Sequence, residues 1–423
     1  MVGCRDQRAD AAETLVADLK QALSKLYGLI GRGQRQGLAA MQEACSQLGH
    51  PERSFDTVHV AGTNGKGTVA AFVSSMLRAG GKRTGLYTSP HLVRFAERIR
   101  IDSELIDDKS LARYIEHVLS QTDDLTFFEA TTLVAFLAFA EAKVECAVLE
   151  AGMGGRLDAT NVIPAPKLAI ITRVAFDHTE VLGDNLRSIA REKAGIIKPG
   201  CRVITGKLHP EASAAVLEKI EEVGAELIPL GSPEPIPGAP LAYPRLSMIG
   251  TNLAVAVTAG RALGLDVAAL SQGIESLDWP GRNELLHRNR QELTLLDCAH
   301  NPDGAVTLSH SLDPSLLEVE SRRDIVLVFG TIVGKNYRAM LKRLETVAAH
   351  RIYVAPPVNT AEDPNKFVDV LPGTVEPNVE AALVAARKIV GSRGVVVVTG
   401  SAFLVGAARA VLLNLPSDPL VAM

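Results

Sequence analysis

The chain has 423 residues, 47% apolar and 22% charged, which exceeds one ordinary core and predicts two globular domains rather than a disordered chain. Its net charge is −4, from 44 basic and 48 acidic residues, which argues against a general nucleic-acid binder but leaves room for local basic pockets that hold anions. Five scattered cysteines without a C-x-x-C spacing support neither a zinc site nor a disulfide framework.

In chain order, "MVGCRDQRAD" has no apolar core, so no signal peptide is expected, and "TTLVAFLAFA" (131–140) is too short to span a bilayer. A cytoplasmic address, with no membrane or nucleic-acid partner, follows as the simplest expectation. Strands are predicted at Thr57–Val60, Thr84–Tyr87, Cys146–Leu149, Leu168–Thr172 and Arg202–Thr205, with helices such as Val69–Ala79 and Leu186–Ala194 between them. Continuous apolar strands alternating with helices predict a parallel sheet covered on both faces, whose ligands bind beyond the carboxyl ends of strands. "GSPEPIPGAPLAYPR" (231–245) reads as an irregular loop before a helix starting near Asn252. After "DWPGRNE" the alternation restarts with "LTLLD", "DIVLVFG", "RIYVAP" and "GVVVVTG", which places a domain boundary near residue 285, between 1–285 and 286–423.

"HVAGTNGKGTVAAF" (59–72) reads as strand, tight turn, helix. It departs from G-x-x-x-x-G-K-[ST]: Val60 stands where the first glycine belongs, and Gly67 delays the hydroxyl to Thr68. The chemistry is nevertheless present. Gly62, Gly65 and Gly67 let backbone N–H groups turn toward an oxyanion, the helix adds its positive end, Lys66 supplies a point charge and Thr68 a hydroxyl for Mg²⁺. A glycine-rich strand–helix turn without a ligand would look the same in isolation.

"HVAGTNGKGT", "TSPHLVRFAERIRI", "LEAGMGGRLDATN", "DHTEVLG", "REKAGIIKPG", "WPGR" and "DCAHNPDG" follow one another in that order. Together they closely resemble the folylpolyglutamate synthase/dihydrofolate synthase family of the Mur ligase superfamily, from about Gly37 nearly to the end. The resemblance implies a Mur-ligase-like α/β fold: an N-terminal P-loop ATPase domain with a mainly parallel sheet, and a smaller C-terminal Rossmann-like α/β domain. It implies an ATP-dependent ligase that adds L-glutamate to dihydropteroate or a reduced folate through an acyl phosphate, acting as a monomer on small-molecule substrates.

Residue by residue, the nucleotide loop is Gly62, Thr63, Asn64, Gly65, Lys66, Gly67 and Thr68, with Asn252, Arg282 and Asp297 as further ATP contacts. Ser89, Glu150 and His178, each expected just after a strand, match the Mg²⁺ positions together with Thr68. Read alone, Ser89 suits a turn cap, Glu150 a solvated strand end and His178 a structural histidine. Lys193 matches a lysine that the family carbamylates, giving an anion able to help hold a second Mg²⁺; as a bare residue type it reads as a surface lysine. Lys66, His178 and Lys193 therefore stand at the chemistry. Thr126, Phe127, Phe128 and Glu129, with Leu157, Asp158 and Ala159, match segments lining the pteroate pocket, although Phe127 and Phe128 equally suit core packing. His300 and Ser401 match contacts to the incoming glutamate.

Three features depart from the family: Cys298 stands where D-G-A-H has glycine, "GKN" (334–336) replaces D-K-D, and the segment before Asn252 is short and proline-rich. Another Mur-type ligase acting on a peptidoglycan precursor, or a nucleotide-dependent regulatory protein, are the alternative readings. The second explains the loop but not Lys193 or "DCAHNP".

Overall fold

The computed structural model describes residues 18–33, 35, 37–231, 247–288, 292–312, 324–391 and 394–418. Among these, the strands make two sheets. The first contains β1 (Asp56–Ala61), β2 (Thr84–Tyr87), β3 (Ile99–Ile101), β4 (Glu104–Leu105), β5 (Cys146–Glu150), β6 (Leu168–Ile171), β7 (Arg202–Thr205) and β8 (Glu226–Leu227). Its order is β4-β3-β2-β5-β1-β6-β7-β8, with every pairing parallel except those of β3. β2, β5 and β6 are buried along their whole length, as their apolar sequences require of strands covered on both faces.

One face carries helices Lys66–Ala79, Ser247–Ala262 and Val267–Glu275, whose Val69, Phe72, Val73, Met76, Val255 and Ile274 pack on Val58, Val60, Val148 and Ile170. The other face carries Phe127–Glu141, Leu186–Ala194 and Pro210–Val223. None of the helices among the described residues is long and apolar enough to cross a membrane.

The second sheet contains β9 (Glu284–Arg288), β10 (Glu292–Leu296), β11 (Ile325–Phe329), β12 (His350–Tyr353), β13 (Thr374–Val375) and β14 (Val395–Thr399), in the order β13-β12-β11-β14-β10-β9. Only β9 runs antiparallel. The two sheets are not independent bodies joined by a string. Leu92 and Val93, from the loop after β2, are buried in the core of the second sheet beside Leu296, Leu404 and Val405.

Apart from the start of the helix that holds Asn252, the expected strands and helices are present to within three residues at each end. Three expectations need correction. The β3–β4 hairpin was not anticipated, because "IRI" and "EL" are too short and too charged to register as strands. Asp297 does not follow the first strand of its sheet: β9, "ELLHR", precedes β10 as an edge strand, and edge strands need no continuous apolar run. The helix holding Asn252 already exists at Ser247. The proline-rich loop 231–245 lies outside the described residues after Gly231.

Candidate active site

A cavity of about 420 Å³ opens where the loops after β1, β2, β5 and β10 meet. Every residue of the Gly62–Thr68 loop lines it, as do Ser89, Glu150, His178, Lys193, Asn252, Arg282, Asp297 and His300. The second sheet thus supplies one wall and the first sheet the other.

The loop's backbone needs its glycines. Gly65 has φ +86°, and a Cβ there would sit 2.4 Å from the Asn252 amide oxygen; a Cβ at Gly62 would overlap the Thr172 hydroxyl. Lys66 opens helix Lys66–Ala79, and its ammonium donates back to the carbonyls of Gly62 (3.1 Å) and Thr63 (3.2 Å), which holds its charge at the mouth of the loop.

Glu150 ends β5 and is 6% exposed, with the backbone N–H of Ser89 donating to it at 3.1 Å. Burial pushes its carboxyl above the ordinary value, opposed by the positive charge of Lys66. Lys193 is 3% exposed on helix Leu186–Ala194 and donates to Gly62 O at 3.0 Å. Burial, reinforced by Lys66, lowers its ammonium to about 7. It is therefore not the surface lysine its residue type suggests. Arg282, just before β9, and Asp297, just after β10, lie at the same end of that antiparallel pair; Asp297 accepts from the N–H groups of Asn283 and Ala299, both at 3.0 Å, and burial raises its carboxyl against the opposing charge of Arg282.

His178 lies seven residues past β6, not directly at its end, and occupies the left-handed region at φ +51° before the short helix Thr179–Leu182. Burial lowers its pKa. The turn between is held by Thr63, whose hydroxyl exchanges hydrogen bonds with Ala175.

The expected pteroate residues sit outside the residues lining this cavity. Thr126 and Glu129 form a reciprocal cap on helix Phe127–Glu141: Glu129 Oε2 accepts from the N–H and hydroxyl of Thr126, both at 2.8 Å. Phe127 is core, stacked on Tyr27 and beneath Arg98. Phe128 is half-buried and packs against Gly152, which does line the cavity. Asp158 is buried and accepts from the N–H groups of Met153 and Thr160, both at 3.0 Å, capping the turn Ala159–Val162; Leu157 beside it is half-buried. Ser401 caps helix Ala402–Leu413 through Leu404 N–H at 3.1 Å and is not among the lining residues, whereas His300 is.

Asp177 has a role that motif reading passed over. It lines the cavity and binds Lys335 at 2.8 Å, with His300 Nε2 at 3.6 Å and the Asn301 amide at 3.3 Å. Burial alone would raise its carboxyl; His300, Lys335 and His178 outweigh that and hold it far below the carboxylate range. The signal was in plain view, an aspartate adjacent to His178 in "FDHTE" and the lone lysine of "GKN". Trp279 also lines the cavity, against Gly67.

The donors that the sequence offers a cation here are oxygen-rich but sparse, the Glu150 carboxylate, the Ser89 and Thr68 hydroxyls and the His178 imidazole; of the other lining carboxylates, Asp177 is engaged by Lys335 and Asp297 by backbone N–H groups. Among the described residues no three His, Cys, Asp or Glu side chains cluster as a self-sufficient metal centre. Such a set fits Mg²⁺, which keeps waters and takes phosphate oxygens from its substrate.

Residues 60–204 match the family model "Mur ligase middle domain", and residues 281–402 match "Mur ligase, glutamate ligase domain". The dihydrofolate synthase/folylpolyglutamate synthase of Bacillus subtilis is 34% identical over 92% of this chain and 98% of its own length. The structure of E. coli FolC in complex with DHPP and ADP superposes with a TM-score of 0.83 at 30% identity, over 94% of this chain and 98% of that one. A bifunctional folylpolyglutamate synthase/dihydrofolate synthase with Mn, AMPPNP and L-glutamate bound gives 0.80 at 28% identity, over 93% and 98%.

Proposed function

This chain belongs to the dihydrofolate synthase/folylpolyglutamate synthase family of Mur ligases and is an ATP-dependent ligase that joins glutamate to a folate, and we propose that the cavity between its two sheets is where it does so. The observation that carries this placement is the convergence on one cavity of the glycine loop, a buried carboxylate, a buried lysine of lowered pKa and, from the second sheet, Arg282 and Asp297. The chain then divides near residue 285 into a nucleotide unit and a smaller ligase unit, and works as a cytoplasmic monomer.

A carboxylate of the pteroate or folate attacks the γ-phosphorus of ATP; the bond to the bridging oxygen breaks and ADP departs. The resulting acyl phosphate is attacked by the glutamate amine. The tetrahedral intermediate expels phosphate as the amine loses its proton, leaving an amide. No protein nucleophile is needed, so the chain's contribution is position and charge. Loop N–H groups and Lys66 hold the phosphates, Asn252 fixes the loop, and Arg282 and Asp297 close the far wall. Thr68, Ser89, Glu150 and His178 would hold Mg²⁺, which neutralises phosphate charge when bound. Carbamylated Lys193 would help hold a second ion.

Phe128 and Leu157, the half-buried members of the pteroate set, would touch the ring. Thr126, Phe127, Glu129, Asp158 and Ala159 shape the backbone behind them. His300 and Ser401 lie toward the incoming glutamate. Product analysis by mass spectrometry tests the reading: dihydropteroate, tetrahydrofolate and a peptidoglycan precursor are each offered with ATP and amino acids. Glutamate addition to either pterin substrate is the expected result. Addition only to the peptidoglycan precursor, or ADP release independent of amino acid, overturns it.

A further inference from the structure

The amide of Asn64, in the middle of the glycine loop, is not directed at its own unit. Its Nδ2 donates to Asp303 Oδ2 (2.8 Å) and Asn301 Oδ1 (3.1 Å), and its Oδ1 accepts from Asn301 Nδ2 (2.9 Å). Both partners belong to the second unit, in "DCAHNPDG", a few residues past Asp297. Asp303 is in turn fixed by Arg173, whose Nε lies 2.8 and 2.7 Å from its two oxygens. Arg173 returns the connection to the loop, because Asn64 and Arg173 form an isolated backbone bridge. Asn301 is 2% exposed and also caps helix Pro302–Ser311 through Gly304 N–H at 2.8 Å.

A loop with Gly62, Gly65 and Gly67 within six residues has little internal stiffness, and fixing its shape costs backbone entropy. Gly62 and Gly65 moreover adopt positive φ. Within the first sheet's unit, the Thr63 hydroxyl exchanges hydrogen bonds with Ala175 and the Thr172 hydroxyl donates to the Asn64 carbonyl, whereas the side chain of Asn64 takes its hydrogen bonds from across the cleft. We propose that Asn301 and Asp303, backed by Arg173, are positioning residues for the nucleotide loop, so that the loop's grip on phosphate depends on the docked second unit. The proposal rests on the assignment of this loop to nucleotide binding, and it adds what sets the loop's conformation.

The test is a double-mutant cycle read first on ADP affinity by calorimetry, with neither folate nor glutamate present. Asp303→Ala and Asn64→Ala are each expected to weaken ADP binding by roughly tenfold, the scale of a lost hydrogen bond to a charged group. Their combination is expected to cost little more than one alone, because both remove the same link. Asn301→Ser keeps the helix cap while losing the amide pair, and guards against a mere folding defect; it should raise KM for ATP with an unchanged thermal midpoint and unchanged KM for folate. Arg173→Ala, at a more exposed pair, should cost only a few-fold. Additive losses in the cycle, or unchanged ADP affinity in Asp303→Ala, overturn the proposal. Failure of the folate assignment would show instead as a parent that binds ADP but does not turn over with folates, leaving the cycle readable.

Discussion

Carbamylation of Lys193 is the expectation with the sharpest consequences. The reaction needs a neutral amine, which attacks carbon dioxide and sheds a proton. With an ammonium at about 7, about half of Lys193 is neutral at pH 7, against about three in ten thousand for an ordinary lysine, a gain on the order of a thousandfold. The fall from the ordinary 10.5 corresponds to roughly 5 kcal/mol of disfavoured charge. Its sign is fixed by linkage. Between about 7 and 10.5 the unfolded chain binds a proton that the folded chain does not, so stability rises with pH across that window; below 7 the full penalty is present. Lys66 is one of the causes, and the neighbour that repels the ammonium would attract a carbamate. In carbon-dioxide-free buffer, the neutral Lys193→Met protein should therefore be more stable than the parent at pH 7, with the difference shrinking toward pH 10. Parent enzyme stripped of carbon dioxide at mildly acidic pH should lose ADP release and regain it with bicarbonate, and ¹³C-bicarbonate should give a carbamate resonance. Lys193→Ala should lose activity by roughly a hundredfold or more and recover part of it with formate or acetate. Full activity of Lys193→Ala without added acid, or recovery of the parent without any carbamate resonance, refutes the reasoning.

Lys66→Ala should reduce ligation by roughly 10²–10³ while leaving the fold intact, since its ammonium hydrogen-bonds only loop carbonyls; normal turnover would remove the loop from the mechanism. Glu150→Gln and His178→Ala should each raise the Mg²⁺ concentration needed for half-maximal activity, and parent-like Mg²⁺ titrations in both would show the cation placed wrongly. Cys298 is buried against Arg282 and Gly281, and burial pushes its thiol up to about 12, so alkylation at pH 8 should be far slower than for a free thiol. Cys298→Gly should cost about 1–2 kcal/mol in urea unfolding through lost packing and added backbone freedom; an unchanged midpoint would show that the thiol is not packed as described.

The parts of this molecule that sequence made legible are those where one local rule dominates. Short apolar, β-branched runs such as "CAVLE" and "LAII" suit doubly covered strands, and both are. The glycine spacing of the Gly62–Thr68 loop could be read because it is a local pattern, although the atoms that would meet a Cβ at Gly62 and Gly65 belong to the distant Thr172 and Asn252. What stayed hidden depends on partners far along the chain. Lys193 reads as a surface lysine until β1, its loop and helix Leu186–Ala194 bury it beside Lys66. Asp177 draws its charge partners from positions 300 and 335, and Asn64 its hydrogen-bond partners from 301 and 303. The same seven-residue stretch, Asp297–Asp303, therefore faces the cavity with Asp297 and His300 and reaches the loop with Asn301 and Asp303. One strand-to-helix turn after β10 thus both lines the cavity and hydrogen-bonds the glycine loop across it.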